Sequence, residues 1–149
     1  FLLHVLHHKN ILGLTDLQTY KNGLYIITEY CEFDLHKVIY ADRKAAITRR
    51  SIIRKREDYI KLLYQLLDAV KYMHSIGVLH RDIKPANILL DTRLNVKICD
   101  LGFARLVDDC GHLLEPDTPP LTEYVVTRWY RAPEVFLSPG KYGKAQDVW

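Results

Sequence analysis

Eight residues near the middle of the chain restrict its fold more than any others. His80-Arg81-Asp82-Ile83-Lys84-Pro85-Ala86-Asn87 stands between two short apolar runs, Val78-Leu79 and Ile88-Leu90, which read as strands flanking a polar turn. That one turn carries a carboxylate, an ammonium and a carboxamide. Asp100 follows thirteen residues after Asn87, just beyond a third apolar run, Val96–Ile98. The fold must therefore present several charged groups from loops held between strands.

The rest of the chain supplies a frame for those loops. Phe1 to Leu6 has the pattern of the last turns of an amphipathic helix. Ile11 to Leu17 and Leu24 to Tyr30 are β-prone, with Lys21-Asn22-Gly23 as a hairpin turn between them. Asp34 to Tyr40 is a short helix candidate. Glu57 to Ser75 is the clearest helix: Ile60, Leu63, Tyr64, Leu67, Val70, Met73 and His74 recur at helical spacing. Glu57 and Asp58 sit in its first turn and Gly77 stops it. This helix is expected to be buried scaffold. From Asp100 to Pro120 the periodicity vanishes, and a loop that long in a compact domain is usually functional.

Composition excludes several classes. The 149 residues are 48% hydrophobic and 26% charged, as in ordinary globular domains. Cys31, Cys99 and Cys110 are odd in number and form no CxxC pair, which points to reduced thiols in a cytosolic or nuclear compartment. No apolar stretch approaches the ~20 residues that a bilayer requires. Phe1-Leu2-Leu3 lacks a basic region and an initiator Met, so it reads as a cut edge rather than a signal peptide. Arg43 to Arg56 holds seven basic residues and no acidic one, which leaves −4 for the remainder of a chain whose net charge is +3. A solvated loop is the plain reading of that stretch; a nuclear-localisation or acidic-partner patch is the sharper one.

The charged turn and Asp100 suit phosphoryl transfer, which needs positioning and charge neutralisation more than covalent chemistry. A carboxylate accepts the hydroxyl proton, a cation faces the moving group, and oxygen ligands hold Mg²⁺. The segment His80–Asn87 resembles the catalytic loop of protein kinases. Asp100-Leu101-Gly102 resembles their metal-binding Asp-Phe-Gly, and Ala132-Pro133-Glu134 matches the motif that closes the activation segment. The resemblance implies that Asp82 is the catalytic base, that Lys84 steadies the γ-phosphate, and that Asn87 and Asp100 bind Mg²⁺ alongside ATP.

Thr122-Glu123-Tyr124, followed by Arg128-Trp129-Tyr130-Arg131-Ala132-Pro133-Glu134, narrows the likeness to mitogen-activated protein kinases of the extracellular-signal-regulated type. That family implies a lip phosphorylated on Thr122 and Tyr124 by an upstream dual-specificity kinase. Arg81 and Arg105 would then take phospho-Thr122, and Arg128 and Arg131 phospho-Tyr124. Thr127 would lie in the platform for protein substrates with Ser/Thr-Pro sites. Leu24 to Leu35 resembles the strand and hinge that hold adenine. Thr28 would be the gatekeeper, the Glu29 carbonyl and Cys31 amide would bond the base, and Asp34 the ribose. Cys99 reads as a small buried hydrophobe behind the nucleotide. His4, His7 and His8 invite a metal reading, but no acidic or Cys partner is near in sequence; His7 to Ile11 resembles instead the His-x-Asn turn after the kinase C-helix.

The likeness also has departures. Leu101 stands where the family has Phe and Phe103 where it has Leu, which implies altered packing with metal binding kept, and the basic stretch lengthens the connection before the long helix. No Gly-rich phosphate loop is present, and its Lys/Glu pair would precede Phe1. Gln146-Asp147-Val148-Trp149 resembles the start of the helix on which the C-lobe is built. The expectation is a two-lobed α+β kinase fold, incomplete, holding the C-helix end, part of the N-lobe sheet, the hinge and the first half of the helical C-lobe. Residues 1–30 would belong to the N-lobe and 31–149 to the C-lobe, with the activation segment at 100–134. The implied location is cytoplasmic, with the nucleus as a second candidate, and with neither nucleic acid nor membrane as partner. A pseudokinase scaffold would have lost Asp82, Lys84, Asn87 or Asp100, and all four stand. A cyclin-dependent or other proline-directed kinase of the same group is disfavoured by Thr122-Glu123-Tyr124.

Overall fold

A computed structural model describes residues 2–45, 53, 55–108, 114, 128–137 and 143–149. They form two compact units, one of residues 1–69 and 85–99, the other of residues 70–84 and 100–149. Wherever strands pair as ladders they do so antiparallel, beside separate helices, which is the α+β class expected.

In the first unit, helix α1 (Leu2–Val5) ends in a turn where the Asn10 N–H donates to His8 Nδ1 at 3.1 Å. The buried Asn10 amide then donates to Gln65 Oε1 (3.0 Å) and to the Val96 carbonyl (2.9 Å). Such bonds are needed because a buried amide without partners costs about 1–3 kcal/mol. Ile11 makes one parallel bridge to Ile98 rather than starting a strand. Strand β1 therefore begins later than its β-prone residues suggested, at Leu14–Tyr20, and pairs with β2 (Gly23–Thr28). The loop between them is the two residues Lys21-Asn22, with Gly23 already paired to Tyr20. Lys21 has φ 53°, the positive first loop angle that matches a tight hairpin to the twist of its strands.

A small sheet of order β3-β5-β6 follows, with β3 (Phe33–Asp34), β5 (Ile88–Leu90) and β6 (Val96–Ile98). The turn joining β5 to β6 is built on Asp91, whose carboxylate accepts the N–H groups of Arg93 and Asn95, each at 2.8 Å, and the Asn95 amide at 2.7 Å. Burial pushes that carboxyl up, but these bonds and the Lys61 charge outweigh it and hold it below the usual carboxylate range. Helix α2 (Leu35–Ala45) runs past the Tyr40 expected as its end and takes in Arg43 and Lys44.

Helix α3 (Arg56–Ser75) starts where its acids placed it: Asp58 Oδ2 accepts the Lys55 N–H at 3.0 Å, as in a capping box. The expectation that its apolar stripe is buried fails over the first turns. Leu62 and Ala69 are buried, whereas Ile60, Leu63, Tyr64 and Leu67 are 47–67% exposed. The helix is apolar on two sides, and over these turns only one of them is covered. Val70 and Met73, which belong to the second unit, are buried as expected.

In the second unit, β4 (Val78–Leu79) pairs with β7 (Arg105–Leu106), a strand too short to show any period in a segment that read as loop. Gly77 connects α3 to β4 with φ +71°, and its carbonyl accepts the Val107 N–H at 2.8 Å. A Cβ there would lie 2.8 Å from the Val107 carbonyl oxygen. Gly77→Ala is therefore expected to cost about 1–3 kcal/mol, the left-handed penalty plus a backbone clash. A urea midpoint equal to that of the parent would show that the turn relaxes freely. Helix α4 (Pro133–Leu137) opens on proline, whose missing N–H is harmless in a first turn. Gln146 and Asp147, which resemble with Val148 and Trp149 the start of a helix, lie in the 3₁₀ turn Lys144–Asp147. No helix of the described residues is long and apolar enough to cross a membrane.

Candidate functional site

The loop after β4 is anchored from below. Asp147, its side chain 1% exposed, accepts the backbone N–H of His80 at 2.9 Å on one oxygen and that of Arg81 at 2.8 Å on the other. His74 Nε2 meets the same carboxylate at 2.8 Å. Three groups on one buried acid hold Arg81 in a left-handed conformation, φ 70°, which a side-chain-bearing residue adopts only when its surroundings demand it. His80 Nδ1 accepts the Asp82 N–H at 3.2 Å, a further constraint on the chain just where the acid projects.

Asp82, 6% exposed, ion-pairs with Lys84 at 2.6 Å. The two residues that sequence reasoning set as base and cation thus stand side by side. A cavity of about 10 Å³ beside them is lined by Arg81, Asp82, Ile83, Tyr130, Arg131 and Gln146, among others. That is room for roughly one water, so the cavity itself holds neither nucleotide nor peptide.

Asp100 opens the 3₁₀ turn Leu101–Phe103 with φ 63° and ψ 76°, and its Oδ1 accepts the Gly102 N–H at 3.3 Å. Leu101 and Phe103 are both half-buried. Arg105 donates from Nη1 to the Ala104 carbonyl at 2.8 Å, and Arg131 is half-buried at the cavity. Arg128 begins the 3₁₀ turn Arg128–Tyr130. Thr122, Tyr124 and Thr127 lie outside the described residues, as do Cys110 and the core of the basic stretch.

In the first unit, Asn87 closes the 3₁₀ turn Pro85–Asn87; it is 6% exposed, and its carbonyl accepts the Cys99 N–H at 3.0 Å. Thr28 ends β2, and its hydroxyl donates to the Glu29 carbonyl at 3.3 Å. The Cys31 thiol is pushed up by burial and then by Glu29, with Lys97 opposing. Asp34 has a local task that the sequence did not reveal. One of its oxygens accepts the Lys37 N–H at 2.7 Å and the other meets the Lys37 ammonium at 2.9 Å, so it caps α2. Burial raises this carboxyl, but the Lys37 bonds more than compensate and leave it below its ordinary range. His8 does find an acid, Asp68 of α3, at 3.5 Å, a partner remote in sequence.

Sequence reasoning missed Asp147 as the anchor of the loop and the Glu29–Lys97 pair. The first could have been suspected from an acid among the apolar residues near Trp149; nothing in the spacing marks the second. No group of three metal-binding side chains occurs among the described residues. Mg²⁺ asks for less: one or two oxygen ligands and the phosphates of its nucleotide, which a carboxylate at Asp100 and a carboxamide at Asn87 fit in kind.

Comparison with known proteins fits this geometry. Residues 1–149 match the family described as protein kinase domain. Extracellular signal-regulated kinase 2 of Dictyostelium discoideum is 44% identical over the whole of this chain and 38% of its own length. Mitogen-activated protein kinase 10 of Arabidopsis thaliana is 39% identical over 99% of the chain and 35% of its own length. Mitogen-activated protein kinase PMK11 of Pyricularia oryzae is 40% identical over 99% and 39% respectively. The chain spans little more than a third of the length of these relatives.

Proposed function

The chain belongs to the protein kinase domain family, and from that premise we propose that the protein carrying it is a serine/threonine kinase of the mitogen-activated group. It transfers the γ-phosphoryl group of ATP to Ser or Thr followed by Pro. The observation that carries this reading is the Asp82–Lys84 pair at 2.6 Å on a loop anchored by a buried acid.

Asp82 accepts the proton of the substrate hydroxyl. Its ammonium neighbour, 2.6 Å away, lies close enough to offset charge on the group in transfer. Asn87 and Asp100 would hold Mg²⁺, which when bound neutralises the phosphate oxygens. The Glu29 carbonyl and the Cys31 N–H address the adenine, under Thr28. Asp34 can reach a ribose hydroxyl only with lone pairs left over from capping α2. The protein works in the cytoplasm and nucleus.

Activation follows from charge. Phosphates on Thr122 and Tyr124, each carrying about −1.5 to −2, draw Arg81 and Arg105, and Arg128 and Arg131, into bidentate pairs, ordering the platform around Thr127. An upstream dual-specificity kinase supplies both phosphates. The test uses the full-length gene product, MgATP, and peptides differing only in Ser-Pro against Ser-Ala. The doubly phosphorylated protein is expected to prefer Ser-Pro. Thr122→Val with Tyr124→Phe should lower its rate at least about 10- to 100-fold, the worth of a single charged hydrogen bond. Equal rates for both proteins, or for both peptides, would remove the mitogen-activated reading.

A further inference from the structure

The proposed adenine-binding hinge is tied to β6 by a side chain with no role assigned so far, that of Lys97. Glu29 Oε1 meets Lys97 Nζ at 2.7 Å and takes the Gly13 N–H at 3.4 Å. Tyr30, the next residue, is 84% exposed, and ladder pairing resumes only at Phe33 of β3. Lys97 is well placed to be the fixed end. It lies on β6 opposite Leu89, between Val96 and Ile98, each 1% exposed, and its side chain is only 21% exposed. Charge from both partners reaches the hinge, because Glu29 raises and Lys97 lowers the Cys31 thiol.

We infer that Lys97 is a positioning residue for nucleotide binding: by holding the Glu29 side chain against β6 it fixes where the Glu29 carbonyl and the Cys31 N–H point. The inference rests on the kinase reading and concerns ATP binding, not the chemical step. The Glu29 side chain is 40% exposed, so solvent screens the pair. An exposed pair of this kind contributes up to about 1 kcal/mol, or about fivefold in affinity.

The experiment is steady-state kinetics on the full-length gene product. Lys97→Met should raise KM for ATP about three- to fivefold, with kcat within twofold and KM for the peptide unchanged. Lys97→Arg should stay near the parent. Lys97→Glu should be worse than Met, and adding Glu29→Lys to it should recover most of the loss. An unchanged KM in Lys97→Met overturns the inference, as does a charge-swapped double variant no better than Lys97→Glu. A parent protein with no more transfer than its Asp82→Asn variant would instead sink the kinase reading, so the two failures are told apart.

Discussion

Asp82→Asn in the full-length gene product should lower kcat about 10²- to 10⁴-fold, the usual contribution of a positioned general base. The substitution keeps the volume of the side chain but replaces one acceptor oxygen by an NH₂ donor and removes the proton-accepting charge. Asp82 is 6% exposed and paired with Lys84, so the cost falls on a site that solvent cannot easily replace. Nucleotide affinity should move by no more than a few-fold, because Asp82 is not assigned to the nucleotide. Turnover and calorimetric titration of the nucleotide, measured on the same preparation, separate these effects. Undiminished turnover would mean that Asp82 is no base. Loss of nucleotide binding in step with turnover would mean that the loop had collapsed.

A second substitution should act through the fold. Asp147→Ala removes the acceptor for two backbone N–H groups and for His74, leaving buried donors with no acceptor. A buried donor left without its acceptor costs about 1–3 kcal/mol, so the two amides together account for roughly 2–6 kcal/mol. The left-handed φ of Arg81 would then lose the carboxylate bonded to its own amide and to the preceding one, so the loop should lose geometry as well as stability. Asp147→Asn retains one acceptor oxygen and should fall between parent and Ala. Thermal unfolding of the three proteins gives the order; an Ala variant as stable as the parent would show that the amides find other acceptors.

How much of this was legible beforehand depended on the range of the interactions. The start of α3 could be read because Asp58 sits three residues after the N–H it accepts, and Gly77 because a left-handed turn favours glycine. The charged loop was legible because its groups are packed into eight residues. Asp147 escaped because it lies 66 and 67 residues from the amides it binds. Lys97 escaped for the same reason, being 68 residues from Glu29. Periodicity misled over the first turns of α3 because Ile60, Leu63, Tyr64 and Leu67 form a proper apolar stripe, yet Leu62, Ala69, Val70 and Met73 are the apolar residues that the helix buries. Hydrophobic spacing reports that a face wants cover; it does not say which face obtains it. β7 escaped because two residues cannot show a period.

The uncovered flank of α3 bears on how the polypeptide behaves outside its working state. Four large oily side chains, wetted in a row, form a sticky seam of the kind that chaperones grip and that nucleates clumping when concentrations rise. Any surface that covers Ile60, Leu63, Tyr64 and Leu67 would lower that tendency.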